Sequence, residues 1–286
     1  MRRAGVWRAR APRCARLRPL LMSPRVTTVS VEGASLSVEE RGEGRPLLLL
    51  HGMTGTGQDW RRLLDLDGLA RRFHLIIPDA RGHGRSTNPG GRFSFTQCAG
   101  DALAILDALR IQHAKAIGLS LGAKTLLHAA TLAPSRVTAM VLVSATPRFP
   151  EATRALFRDA ATVERSPAEW TRMRAQHGHG DEQIRRLWEL PARLAESTDM
   201  SFTPEQLSRI TARTLLVTGD RDPFYPVELT VEMYRAIPGS ALWVVPEGLH
   251  LPVFLAERER FVQVAMGFLD AVPDATSPHD DHETGF

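Results

Sequence analysis

Cysteine is almost absent: the 286 residues hold two, Cys14 near the amino terminus and Cys98 in a stretch that reads as helix. Two thiols so placed exclude a disulfide framework and a cysteine-rich metal site. Long apolar runs are missing as well, since no stretch reaches the roughly 18 uninterrupted apolar residues that a membrane span needs. Acidic residues are absent before Glu32, whereas Arg2, Arg3, Arg8, Arg10, Arg13, Arg16, Arg18 and Arg25 all precede it. Removing those eight from the 36 basic residues leaves 28 against 32 acidic ones, so the formal charge of +4 belongs to the tail. The body lacks the basic excess that marks a nucleic-acid footprint, and no nucleic-acid partner is expected.

The arginine-rich start resembles a transit peptide in composition, but it has no serine before Ser23 and is broken by Pro12 and Pro19. Its one apolar stretch, Leu17 to Met22, is interrupted by Arg18 and Pro19 and cannot serve as the apolar region of a secretory signal. The simplest expectation is an upstream extension over residues 1–21, with translation starting at Met22 and a cytoplasmic setting. Residues 1–25 are accordingly assigned to a basic extension. The polar segment 273–286, with two prolines, is expected to be a disordered tail.

Between these ends the hydrophobic pattern changes character twice. Val26 to Val31 and Ser35 to Glu39 alternate polar and apolar residues around Glu32-Gly33, which predicts a hairpin. Leu47 to Leu50 is instead a continuous apolar run, as expected of a strand buried on both faces of a parallel sheet. The same signature recurs at His74–Pro78, Ala114–Gly118, Val137–Val143, Thr214–Thr218 and Leu242–Val245. Helical patterns lie between them: Asp101–Leu109 with Leu103, Leu106 and Leu109 on one face, Leu121–Leu132, and Glu228–Ile237. Strands alternating with helices predict an α/β fold, a mostly parallel central sheet covered by helices on both faces. The regularity lapses over residues 147–210, which read as a small helical cap inserted between a first core segment, 26–146, and a second, 211–272.

The chemistry concentrates at strand ends. Gly118-Leu119-Ser120-Leu121-Gly122 has the form G-x-S-x-G, follows a predicted strand and opens a predicted helix. A turn this sharp presents the serine hydroxyl at a helix N-terminus and requires small residues two positions either side. A serine is a weak nucleophile without a base, and the base needs a carboxylate to orient it. His250, after the Leu242–Val245 strand, and Asp222, after Thr214–Thr218, supply these in the order Ser, Asp, His. Asp220 is the rival acid, read as a loop residue capping or pairing with Arg221; His128 lies too far along its helix from Ser120 to act as base. His51-Gly52-Met53 ends the first buried strand, and the backbone N–H groups of Met53 and Leu121 are assigned as an oxyanion hole, with His51 bracing the loop.

Taken together, His51-Gly52, Asp79 to Ser86, the elbow at Ser120, Gly219 to Asp222 and His250 resemble the α/β-hydrolase superfamily over about residues 26–271. The resemblance implies the fold named above, the triad Ser120, Asp222 and His250, and a structural role for the Asp79–Ser86 loop. Within the superfamily the chain looks like the small capped esterases and lactonases that need no cofactor or metal, and the serine argues against the dehalogenases and epoxide hydrolases that carry aspartate at the elbow. The expected partner is a small-molecule ester or lactone. A carbon–carbon bond hydrolase, an acyltransferase and a non-catalytic small-molecule receptor stay open on the same scaffold. Phe149, Phe157, Trp170, Met173, Leu187, Trp188 and Phe202 are available in the cap, and Trp188 and Phe149 are taken as substrate-binding.

Overall fold

Glu32 and Gly33 turn the chain between β1 (Arg25–Val31) and β2 (Ala34–Arg41), which pair antiparallel in this computed structural model, where residues 23–273 are described. The expectations for residues 1–22 and 274–286 lie outside the described residues. Six further strands follow: β3 (Arg45–Leu50), β4 (Phe73–Pro78), β5 (Ala114–Leu119), β6 (Val137–Val143), β7 (Arg213–Gly219) and β8 (Ala241–Val245). They form one sheet in the order β1-β2-β4-β3-β5-β6-β7-β8, antiparallel through β4 and parallel from β4 to β8.

The continuous apolar runs are explained by burial on both faces. β3 sends Leu48 and Leu50 into one core and Leu47 and Leu49 into the other; β6 divides Met140 and Leu142 from Ala139, Val141 and Val143 in the same way. A strand side chain alternates sides at every residue, so a strand covered on both faces has no polar position to offer.

The helices are α1 (Trp60–Leu63), α2 (Leu66–Leu69), α3 (Phe95–Ala108), α4 (Leu121–Leu132), α5 (Glu151–Ala160), α6 (Pro167–Gln176), α7 (Gly180–Ala195), α8 (Pro204–Leu207), α9 (Val227–Ala236) and α10 (Arg258–Asp270). Residues of α3, α4 and α9 fill the first core, and residues of α1, α2 and α10 the second. One expectation needs correction. α3 begins at Phe95, not near Asp101, because the Ser94 hydroxyl accepts from the Gln97 amide and caps it there. Its buried face is Phe95, Cys98, Ala99, Ala102, Ile105 and Leu106, while Leu103 and Leu109 are only partly covered. The first turn carries no leucine, which is why leucine spacing pointed too far along the chain.

Between β6 and β7 lie α5 to α8, with no β pairing beyond an isolated bridge from Arg148 to Ser201. This segment is tied to the loops at the carboxyl ends of β3 and β4. His177, just past α6, accepts from the Gly84 amide on Nδ1 at 2.9 Å and approaches the Thr54 carbonyl with Nε2 at 3.2 Å. Gln183 of α7 donates to the Gly82 and Gly84 carbonyls, both at 3.1 Å. Asp199 accepts from the amides of Phe95 and Thr96 at the start of α3.

Candidate active site

β5 runs straight into α4, and the single residue between them is Ser120, with φ 48° and ψ −99°. A serine in the left-handed region is strained, and such strain persists only where the surroundings impose it. Two hydrogen bonds do so: the Ser120 amide donates to the Val143 carbonyl of β6 at 2.8 Å, and the Gly122 amide to the His51 carbonyl at 3.0 Å. Close packing adds to them, since a Cβ at Gly122 would stand 2.2 Å from the Leu50 carbonyl oxygen. Only glycine lets α4 approach β3 so nearly.

His250 and Asp222 reach this serine from the loops after β8 and β7. His250 Nε2 lies 2.9 Å from Ser120 Oγ, and His250 Nδ1 lies 2.8 Å from Asp222 Oδ2. The second carboxylate oxygen of Asp222 accepts from the amides of Phe224 at 2.9 Å and Tyr225 at 3.3 Å, so the buried anion is fully engaged. The His250 loop is held by the Leu251 amide donating to Ser144 Oγ at 3.1 Å, and the ring lies against Phe224 and Tyr225 at centroid distances of 5.0 and 5.4 Å. Asp220 is exposed, and Arg221 pairs with Glu247 at 2.9 Å rather than with Asp220. The arginine side chain thus follows the loop after β8.

The remaining expected residues divide. Leu121 directly follows Ser120 as the first residue of α4, and Met53, in the loop after β3, packs against the apolar cluster that contains Leu121. His51 braces that loop: its Nε2 accepts from the Ala80 amide at 2.9 Å, which leaves Nδ1 to donate to the Gly52 carbonyl at 2.7 Å. Phe149 is brought into a cluster with Phe95, Leu121, Phe157 and Tyr225 beside the serine. Trp188 is not; it packs edge-on against Trp170 at 4.5 Å in a separate cluster with Met173, Ile184 and Leu187. His128 stays buried against Phe202 and Phe95, away from the relay.

In the Asp79–Ser86 loop, Asp79 accepts from the amides of Gly57 at 2.9 Å and Arg85 at 3.0 Å. Arg81 forms a two-pronged pair with Asp101 of α3 at 2.6 and 2.5 Å, both side chains buried. Burial outweighs the guanidinium here and pushes the Asp101 carboxyl above its ordinary range. His83, fully buried between His51 and His177, is driven well below the usual histidine range by desolvation and stays neutral.

Sequence reading passed over two residues that touch the relay. Lys124, one turn beyond Ser120 on α4, is 1% exposed; its Nζ lies 3.4 Å from Ser120 Oγ and 3.0 Å from the Tyr225 hydroxyl. Burial lowers the Lys124 ammonium to about 7 and raises the Tyr225 phenol. His250 also lines a cleft of about 730 Å³, together with Gly52, Met53, Leu119, Leu251 and Phe254. Among the described residues no group of three or more His, Cys, Asp or Glu is placed to hold a metal ion.

The chain's similarity to known proteins follows the same lines. A family model described as the alpha/beta hydrolase fold matches residues 45–257. An epoxide hydrolase of Caballeronia sordidicola is 36% identical over 114 residues, covering 39% of this chain and 34% of that protein. The human serine hydrolase BPHL is 28% identical over 251 residues, covering 84% of this chain and 85% of that protein. The crystal structure of the esterase RhEst1 from Rhodococcus sp. ECU1013 superposes with a TM-score of 0.68 at 25% identity, covering 88% of this chain and all of that one.

Proposed function

This chain belongs to the α/β-hydrolase family, and from that premise we propose that it is a cofactor-independent serine hydrolase that cleaves a carboxylic ester or lactone through an acyl-enzyme on Ser120. The observation that carries the reading is the relay from Ser120 Oγ to His250 Nε2 at 2.9 Å and from His250 Nδ1 to Asp222 Oδ2 at 2.8 Å. Heavy-atom distances in this range suit proton transfer from a hydroxyl to an oriented imidazole.

In the proposed reaction His250 accepts the Ser120 proton as Oγ attacks the acyl carbonyl, and Asp222 holds the imidazole and stabilises its charged form. The amides of Met53 and Leu121 receive the developing oxyanion; Leu121 is suited to this because the first-turn amides of a helix lack partners within it. The leaving alkoxide takes the proton from His250, and water, activated by the same base, frees the acid. The helices of residues 147–210 act as a cap over this chemistry. The partial likeness to an epoxide hydrolase does not bring that activity here, because the elbow carries a serine rather than the aspartate associated with it.

Hydrolysis of p-nitrophenyl esters of graded acyl length, run beside Ser120→Ala and a fluorophosphonate probe, tests the reading. Turnover and labelling are both expected, and both are lost in the variant. Folded wild-type protein that gives neither signal would instead favour the receptor reading.

A further inference from the structure

Arginine supplies nearly all the positive charge of this chain; of its 36 basic residues only Lys115 and Lys124 are lysine. Lys115 donates to the Val272 carbonyl at 2.7 Å, at the carboxyl end of the described chain. Lys124 is different. Its amine lies inside the protein, 3.4 Å from the Ser120 hydroxyl and 3.0 Å from that of Tyr225. Three rings surround it, with centroids 4.6 Å away for Tyr225, 5.7 Å for Phe95 and 6.0 Å for Phe149. Among the described residues no carboxylate lies within ion-pair distance of it. Asp222, whose charge it feels, already spends its oxygens on His250 and two amides.

A packed core has no use for a lone ammonium, since a buried charge without a partner is costly and methionine would fill the same space. A second general base is not needed either: His250 already holds Oγ and has its orienting acid, which Lys124 lacks. What the position lacks is a counter-charge, and it is an acyl group on Ser120 Oγ that would stand nearest. We infer that Lys124 is the receptor for a carboxylate carried on the acyl part of the substrate, so that the preferred substrates are short hemiesters of dicarboxylic acids.

This inference rests on the serine-hydrolase reading. The carboxylate accepts from Lys124 Nζ and from the Tyr225 hydroxyl, which burial keeps protonated. The ring wall of Phe95, Phe149 and Tyr225 limits the acyl chain to a short one. Attack of Oγ on the ester carbonyl forms the new C–O bond as its proton passes to His250; the alcohol leaves with that proton. Water then breaks the acyl–Ser120 bond and releases the dicarboxylate. Cation–π contact with the rings steadies the ammonium while the site is empty, and the carboxylate adds the ion pair that the rings do not give.

Calorimetric titration of Ser120→Ala with monomethyl succinate and with dimethyl succinate, each repeated in Ser120→Ala with Lys124→Met, tests this directly. The hemiester is expected to bind about ten-fold or more tightly than the diester, and that preference to collapse with Lys124→Met. A second readout uses the scarcity of lysine: with ¹³Cε-labelled lysine the protein gives two lysine signals, and the one from Lys124 should titrate near 7 and move up by about one pH unit or more with monomethyl succinate. A preference that survives Lys124→Met, a Lys124 signal that ignores the hemiester, or no binding of either ester would overturn the inference. The lysine signal serves even where Lys124→Met fails to fold. Methanol release by the wild-type protein judges the hydrolase reading separately, because binding without release would sink that reading and leave the anion receptor standing.

Discussion

Gly219, the last residue of β7, and Gly248, in the loop after β8, meet so closely that a Cβ on the first would stand 2.1 Å from the carbonyl oxygen of the second. The same carbonyl accepts from the Arg221 amide at 2.9 Å, so the loop bearing Asp222 is fastened to the loop bearing His250. Gly219→Ala must push these loops apart. A misplacement of about 1 Å costs on the order of 10²-fold in rate, so kcat on a p-nitrophenyl ester should fall at least that far. The loops follow the last two strands of the sheet, and the one after the edge strand β8 can yield, so the circular-dichroism spectrum should stay native; unchanged kcat would show that the contact does not set the relay.

Asp222→Asn keeps the shape of the acid and removes its charge. The amide can present its NH₂ to His250 Nδ1 and so favour the wrong tautomer, leaving Nε2 unable to take the serine proton. Turnover is expected to drop by about 10⁴, as for the equivalent change in a serine protease triad, with substrate KM little altered. Steady-state kinetics decide it. A loss confined to KM would assign Asp222 to binding instead.

The Arg81–Asp101 pair joins the loop after β4 to α3 in a buried setting. Asp101→Ala leaves a buried guanidinium without its anion, and breaking a pair of this kind costs about 3–5 kcal/mol. Urea denaturation of the variant should show that loss, whereas replacing both partners by apolar residues should restore part of it. A cost below about 1 kcal/mol would mean that solvent reaches the site.

Lys124 also gives stability a pH dependence of known sign. Its folded value of about 7 lies below the roughly 10.4 of an unfolded lysine, so between those limits the unfolded chain binds the extra proton. Stability then rises with pH across that window. Lys124→Met, which lacks the group, should be more stable than wild type at pH 7, and its lead should shrink by about 1–2 kcal/mol by pH 9. The comparison stops short of pH 10 because the raised Tyr225 phenol contributes the opposite slope there. Parallel urea midpoints for the two proteins at pH 7 and 9 would contradict the burial of a free amine.

Much of this molecule was legible in the sequence because its signals are local. Leu47 to Leu50 reads as a doubly buried strand whatever surrounds it, and Gly118 to Gly122 declares a tight turn by composition alone. Lys124 and Tyr225 carry no such mark. A lysine one turn along an amphipathic helix usually reaches solvent, and a tyrosine after Pro223 usually closes a loop; only the packing of α4 beneath the β7 loop brings their polar ends together at 3.0 Å. The two aromatic residues assigned to substrate show the same limit. Phe149 and Trp188 were equivalent by residue type, yet Phe149 faces Tyr225 and Trp188 faces Trp170.

The order of strands has a further consequence for how activity is lost. Ser120 hangs from β5, flanked by β3 and β6 deep within the sheet, whereas His250 follows β8, whose residues are mostly half-covered at the open edge. Segments with few buried contacts open at a lower free energy than the molecule as a whole. Excursions of that edge strand would part His250 from Ser120 while the rest of the sheet remained closed. Under mild denaturant the protein would then fall silent before it unfolds, and amides of β8 would exchange with solvent ahead of those of β5.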